Sequence, residues 1–433
     1  MKKIAVLGLH SSEVGFDCAS LSEIDLALRC TGKDSLRIVY ANPQRAESDL
    51  RALDLGVCAL TFDGAEELDK IGRAHARRVK GFTEDRASGR EEVRSRIGGV
   101  GARGSGTNGR SPPRKDGRSP EPPDMILRIV VPDSASSVPL GEKFGADPAN
   151  VRSLTERALD IGLPVIGVSF HCGSGCHDPD SYGSAIRLAR EAVDAIDAVK
   201  ERRRSSGDGV SESVLLRPCF LLDIGGGYPG LDGAGGDDGR FCGAVMTSYG
   251  TRSVNPHDKD EATAAMIADV VCPLIDELFP TDADHPVQVI SEPGRYFVES
   301  AFALCSRIYS VRVDADGRRH YFIAQGVRGV FKDVLLCGET FLPVPLRIGD
   351  GIVPTDSDTN GCRVQNEERC EKDELFPSTV HGPSGEDFDV VCPDSLLPNL
   401  IEGDWLTFDR MGAYTLSIAA RSGSLPIRYV YSR

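Results

Sequence analysis

The sequence predicts an α/β barrel of the TIM type that is one βα unit short, followed by an all-β C-terminal domain. Three observations carry this. Seven short apolar, β-branched runs alternate with amphipathic stretches over the first 295 residues. Polar residues suited to chemistry recur at the ends of those runs. From about residue 298 the pattern changes to strands and turns with little helix.

The seven runs are 14–19, 37–42, 58–62, 126–131, 165–171, 219–224 and 287–292. They are apolar on both faces, as parallel strands covered on both sides must be. Between them lie helical patterns. The stretch 184–203 puts Ala185, Ile186, Leu188, Ala189, Ala192, Val193, Ile196 and Val199 on one face. Repeated βα units build either a doubly wound sheet or a closed barrel. Asp17, His171, Asp223 and Glu292 all fall near strand ends. A barrel collects its active site at the carboxyl ends of several strands, which favours the barrel. A closed barrel has eight strands, and seven would leave two unpaired edges.

The expected organisation is a barrel over 1–297 and a β-domain over 298–433. The stretch 84–124 is rich in Gly, Ser, Pro and Arg and nearly free of large apolar residues, so it is expected to be a disordered insert. Residues 201–213 and 229–257 read as surface loops. In the β-domain, 301–313, 319–324, 403–408 and 426–431 read as strands.

Composition excludes several classes of function. A net charge of -15 argues against phosphate-backbone binding and against docking on anionic lipid. No apolar stretch reaches the roughly 20 residues of a membrane span. The N-terminal apolar run is short for a signal peptide and is followed by no small-residue cleavage site, so a cytoplasmic location is expected. Thirteen cysteines, odd in number and irregular in spacing, do not make a disulfide framework.

Three motifs suggest chemistry. Asp223-Ile224-Gly225-Gly226-Gly227-Tyr228-Pro229-Gly230 formally contains G-x-G-x-x-G. A dinucleotide loop needs a helix opening directly behind it, and here a Gly/Asp-rich stretch follows. Three glycines after a strand still form an anion cradle, because bare backbone N–H groups can close on a phosphate. His171-Cys172-Gly173-Ser174-Gly175-Cys176-His177 is too compact to set four ligands around a metal as a tetrahedron. His171, at a strand tip, reads better as a flat ring that stacks on a cofactor. Glu292-Pro293-Gly294-Arg295-Tyr296 ends the seventh strand. A carboxylate inside a barrel is costly unless it meets a cation, and a pyridinium nitrogen or an arginine would serve.

Taken in order, Gly15–Ser20, Val168–Gly175, Leu222–Gly230, Glu292–Tyr296 and Met411–Thr415 resemble the ornithine decarboxylase family of pyridoxal-phosphate (PLP) enzymes, group IV, fold type III. That family also holds the diaminopimelate, arginine and lysine decarboxylases, and the likeness is greatest to the eukaryotic ornithine enzymes. It covers essentially the whole chain apart from 84–124 and some loops. The resemblance implies a PLP barrel, a β-domain and a head-to-tail homodimer. It implies that Gly225, Gly226, Gly227 and Gly294, with Ser174, Arg295 and Tyr414, hold the phosphate, that Glu292 pairs with the pyridine nitrogen, and that His171 stacks on the ring. Asp17, Glu23 and Arg128 would shape the floor. The implied activity is decarboxylation of a basic amino acid, with ornithine to putrescine in polyamine biosynthesis as the default. A catalytically dead paralogue that binds an antizyme-like regulator, as antizyme inhibitors do, is the alternative.

The sequence departs from the family pattern in two places. The family's cofactor-bearing lysine, in Tyr-Ala-Val-Lys, lies further ahead of its aspartate than Met1 lies ahead of Asp17. The missing strand and the missing lysine are thus expected to be one absence, an N-terminal truncation that would leave the chain as written inactive. The family's Gly-Pro-Ser/Thr-Cys-Asp-Gly-Leu-Asp reads here Gly382-Pro383-Ser384-Gly385-Glu386-Asp387-Phe388-Asp389. Gly385 replaces the cysteine that handles the Cα proton. Glu386 replaces the aspartate that meets the substrate's distal amine, and Cys337 aligns with a second substrate aspartate.

Overall fold

The computed structural model of the chain describes residues 14–87, 119–207, 209–228, 264–283, 286–346, 374–417 and 419. The expected strand 426–431, the loop 229–257 and most of the insert 84–124 lie outside the described residues. The chain divides into two compact units, one reaching Gly227 and resuming up to Pro293, the other from Gly294 onward.

The first unit is built on a seven-stranded sheet of β1 (Phe16–Cys18), β2 (Ile38–Tyr40), β3 (Ala59–Phe62), β4 (Asp124–Arg128), β6 (Val165–Ser169), β8 (Leu221–Asp223) and β9 (Gln288–Ile290). A small antiparallel pair, β5 (Ser136–Val138) and β7 (Ser174–Cys176), stands beside it. The large sheet is parallel throughout, in the order β1-β2-β3-β4-β6-β8-β9. All seven expected runs form strands, each trimmed or shifted by a few residues. Their apolar residues are buried on both faces: Met125, Ile126 and Leu127 in β4, and the whole of β6. The sheet curls until its end strands come together, because the carboxyl of Asp17 on β1 is hydrogen-bonded to Glu292, two residues past β9.

Helices cover the sheet. Pro179–Ser206 starts at Asp178, whose carboxylate accepts from the N–H of Asp180 and Ser181 at 3.2 and 3.1 Å. It stops at Gly207, in the left-handed region at φ 65°. Ala185, Ile186, Ala189, Ala192, Val193, Ile196 and Val199 form its buried stripe. Lys200 on the same stripe is buried, and its ammonium donates to the carbonyls of Val165 and Arg217 at 2.5 and 2.9 Å. The helix therefore runs six residues into the stretch expected as the 201–213 loop, and Glu212–Leu215 adds a further turn. The helix Ala65–Ala87 likewise enters the expected insert, and Asp124 already belongs to β4. β3 pairs directly with β4, Ala59 opposite Asp124 and Phe62 opposite Leu127, so the chain between Ala87 and Asp124 is an excursion from a continuous sheet.

The second unit holds a mainly antiparallel six-stranded sheet, ordered β12-β15-β10-β11-β13-β14. Its strands are β10 (Leu304–Val313), β11 (Arg319–Ile323), β12 (Val344–Leu346), β13 (Phe376–His381), β14 (Val390–Leu397) and β15 (Trp405–Phe408). Its core gathers Ile308, Tyr321, Ile323, Val327, Phe331, Val380 and Leu406. Phe331 meets Phe341 and Phe408 edge to face, with ring centroids 5.3 and 4.7 Å apart. Two short helices, Gly294–Val298 and Asp333–Cys337, complete it.

One buried ion pair ties the first unit's sheet to its cover. Arg45, 4% exposed, donates to Glu67 at 2.8 Å and to the carbonyls of Tyr40 and Thr61 at 2.7 and 2.6 Å. It links the ends of β2 and β3 to the helix Ala65–Ala87. Glu67→Ala would leave the guanidinium buried without its counter-charge, at about 3–5 kcal/mol. The expected result is a unit that unfolds at markedly lower urea, read by helical circular dichroism. An unchanged transition would mean that the carbonyls of Tyr40 and Thr61 suffice for Arg45.

Candidate active site

Four of the expected site residues lie at or just past a strand's carboxyl end: Arg128 closes β4, His171 follows β6 by two residues, Gly225 follows β8 by two, and Glu292 follows β9 by two. Arg128, Ser169, Phe170, His171, Asp223 and Glu292 line one cavity, and no lysine is among the described residues that line it. Asp17 sits at the centre of β1 and reaches Glu292 from there.

The glycine run is forced by space. Gly225 and Gly227 take φ of 63° and 93°, which disfavours any side chain. A Cβ on Gly226 would lie 2.8 Å from the carbonyl oxygen of Glu292 and 3.0 Å from Nε2 of His171. The cradle is pinned on several sides. Glu292 N–H donates to Gly225 O at 2.8 Å, Cys176 N–H to Gly227 O at 3.0 Å, and Gly225 N–H to the Asp223 carboxylate at 3.0 Å. The Cys176 bond ties the Ser174 turn to the cradle. Gly173 and Gly175 flank Ser174, both with positive φ.

His171 is fixed as a neutral ring. Its Nδ1 accepts from the N–H of Gly173 at 3.0 Å, which leaves the proton on Nε2. Burial, helped by the Arg128 charge, lowers its pKa to about 4.

Asp17, Asp223 and Glu292 converge. Glu292 is hydrogen-bonded to both aspartates. Burial, then the neighbouring charges of Asp223 and Asp17, holds its carboxyl well above the usual range, so it keeps the proton it donates. Burial pushes Asp223, 1% exposed, up to about 6. Asp17 is pushed up to about 7 by the protein packed on its inner side and by the Asp223 charge. Water reaches its exposed side and damps that effect, so the two enclosed acids set the behaviour of the cluster. Arg128 opposes the three acids, its own pKa lowered by burial.

Glu23 plays a different part from the one expected. It closes a capping box at the start of the helix Leu21–Cys30, accepting from Ala19 N–H at 2.6 Å while its own N–H meets the Ser20 hydroxyl at 3.4 Å. Ser-x-x-Glu was the signal for it.

In the second unit, Arg295 spends its guanidinium on two buried carboxylates, Glu299 at 3.0 Å and Asp333 at 2.9 Å, with Tyr414 5.0 Å away across its ring face. The i, i+4 spacing to Glu299 was visible in the sequence, and Asp333 was not. Tyr414 has the left-handed φ of 49°, and its hydroxyl lies 3.9 Å from where a Gly294 Cβ would be. Glu386 is held by Arg328, with Nε–Oε2 at 2.7 Å and Nη2–Oε1 at 2.8 Å. Cys337 is the last residue of the helix Asp333–Cys337.

A curled parallel sheet carrying a glycine cradle, a flat neutral histidine and a protonated acid at its carboxyl ends, in a chain that also holds a separate sheet unit, defines a class of cofactor-binding barrel enzyme. Comparison with known proteins agrees. The pyridoxal-binding domain of pyridoxal-dependent decarboxylases matches residues 1–88 and 115–299, and their C-terminal sheet domain matches 219–412. The chain belongs to the pyridoxal-dependent decarboxylase family. It is 32% identical to ornithine decarboxylase of Panagrellus redivivus, with 96% of this chain and 74% of that protein covered. It is 30% identical to antizyme inhibitor 2 of Xenopus laevis, covering 100% and 73%. Among solved structures, arginine decarboxylase of Paramecium bursaria Chlorella virus matches with a TM-score of 0.66 and 27% identity, covering 97% of this chain and 83% of that one. Pyridoxal 5'-phosphate is the cofactor of the family. The residues fit it: the space over Gly226 takes nothing larger than hydrogen, and the acid cluster holds a buried proton opposite one arginine. No helix among the described residues is long and apolar enough to cross a membrane.

The cluster has a signed pH dependence. A carboxyl with a raised folded-state pKa binds its proton more tightly in the folded chain, so its contribution is lost as pH rises, here between 3.8 and about 6 for Asp223. His171 acts oppositely, since its lowered pKa makes stability fall as pH drops from 6.5 toward about 4. Asp223→Asn removes the Asp223 titration and, by withdrawing its charge, relaxes the raised pKa of Glu292 and Asp17 in the same direction, while the His171 effect stays. Relative to wild type, the cofactor-free variant should gain on the order of 2 kcal/mol between pH 4 and pH 7. Melting temperatures at the two pH values check it, and a difference that does not change with pH would contradict it.

Proposed function

We propose that the chain is a pyridoxal-phosphate-dependent decarboxylase of a basic amino acid, with ornithine to putrescine as the reference reaction, working as a homodimer in the cytoplasm. The observation that carries this reading is the protonated Glu292 held between Asp17 and Asp223 at the mouth of the glycine cradle.

The cofactor, when bound, supplies an electron-withdrawing ring that accepts the electron pair left by departing CO2. The chain's residues do the rest. The backbone N–H groups of Gly226 and Gly227, with the Ser174 hydroxyl, would donate to the phosphate, while Gly225, whose own N–H is held by Asp223, gives the turn its shape. Glu292 would meet the ring nitrogen and hold a proton there. Asp223 and Asp17 supply the negative charge that would keep that proton in place. His171, neutral, would stack on the ring without adding a charge that opposes it. Glu386 would meet the substrate's distal ammonium. Gly385 has no thiol with which to return a proton to Cα, so that step is slow.

Titration with pyridoxal 5'-phosphate, followed by absorbance, should give saturable binding. Gly226→Ala should weaken it at least about tenfold, the equivalent of one lost hydrogen bond. In a chain that also carries a lysine-bearing strand ahead of Asp17, labelled CO2 from ornithine should be released slowly. A protein that takes up no cofactor, or whose affinity ignores Gly226→Ala, defeats this reading.

The relative named antizyme inhibitor 2 and the glycine at 385 support a second reading, a paralogue that acts by binding antizyme. On that reading immobilised antizyme retains the chain equally well with and without the Gly226→Ala change, and no CO2 is released. Failure to bind antizyme removes it.

A further inference from the structure

The loop between β13 and β14 and the turn after β11 form one clamped piece. Asp389, 3% exposed, accepts from the N–H of Val327 at 2.9 Å and of Ser384 at 2.8 Å. Its own N–H donates to Glu386 O at 3.0 Å, and its carbonyl accepts from Gly382 at 2.9 Å. A side chain on Gly326 would strike the Asp389 carboxylate and come within 2.8 Å of the Pro383 ring. The backbones that carry Arg328 and Glu386 are therefore held face to face.

On that frame the two side chains meet fork to fork. Both carboxylate oxygens of Glu386 are engaged, at 2.7 and 2.8 Å, and the guanidinium lies 5.0 Å from the Phe388 ring centroid. An arginine that satisfies both oxygens neutralises the acid and fills its strongest acceptor positions. A terminal ammonium is a point charge and cannot replace two parallel N–H···O bonds at once.

We propose that Arg328 is a specificity-determining residue, an internal competitor that occupies Glu386 and disfavours substrates ending in an ammonium group. This rests on the reading of Glu386 as the acid that faces the substrate's distal end. A diamino acid must first displace Arg328, so its affinity falls by the strength of that pair. Arg328 and Glu386 are 60% and 43% exposed, which limits the effect to that of a surface ion pair, about fivefold.

The test uses the cofactor-loaded protein with putrescine as the binding probe, measured by calorimetry, and ornithine as the kinetic probe. Arg328→Ala should bind putrescine about fivefold more tightly and lower KM for ornithine by a similar factor, with the change in KM rather than kcat. Arg328→Lys should gain less, because a lysine still reaches one oxygen. Adding Glu386→Gln to Arg328→Ala should abolish the gain. Unchanged putrescine affinity in Arg328→Ala, or a gain that survives Glu386→Gln, overturns the proposal alone. Failure of the wild type to take up pyridoxal phosphate overturns both this proposal and the reading beneath it.

Discussion

Three carboxyl groups from three separate strands share a proton at the closing seam of a curled sheet, and the site depends on that contact. Asp17 stands on one end strand, Glu292 just beyond the other, and Asp223 on the strand beside it. If Glu292 were ionised there, three negative charges would face one partly buried arginine, an arrangement that burial makes untenable. Protonation turns repulsion into two hydrogen bonds. The same chemistry that brings Asp17 on β1 to Glu292 beyond β9 also leaves a carboxyl that holds its proton in the buried site.

The glycine cradle follows from the same seam. The N–H of Glu292 bonds to the carbonyl of Gly225, so the strand that delivers the acid also sets the height of the cradle. Gly226 then lies so near the Glu292 carbonyl and the His171 ring that acid, histidine and phosphate loop cannot move independently. In a packed interior such shared contacts transmit displacement rather than absorb it.

The first unit was readable because its strands are buried on both faces, which writes continuous β-branched runs into the sequence. Site residues were readable where they ended those runs. The second unit was less so. β13 (Phe376–His381) carries Pro377 and small polar residues, and β14 (Val390–Leu397) contains Pro393 and Asp394; both strands break register, so neither alternates cleanly. Short β12 is Val-Pro-Leu. The last residues of Pro179–Ser206, beyond the 184–203 pattern, escaped because Arg204, Ser205 and Ser206 are polar and exposed. The pairing of Arg328 with Glu386 left no trace, since 58 positions separate them and no periodicity links turns on different strands. Arg295, expected as a phosphate ligand, also grips Glu299 and Asp333, one local in sequence and one remote.

The direct pairing of β3 with β4 has a consequence for how this chain can vary. Four successive residues of each strand are in register, so the order of the sheet at this position is set by the pairing itself and by the helix Ala65–Ala87 that follows β3. A flexible connection between fixed ends costs an entropy that grows only logarithmically, by roughly 0.6 kcal/mol for each doubling of length. A tag or reporter domain spliced between Ala87 and Asp124 would therefore leave the register of β3 and β4 intact.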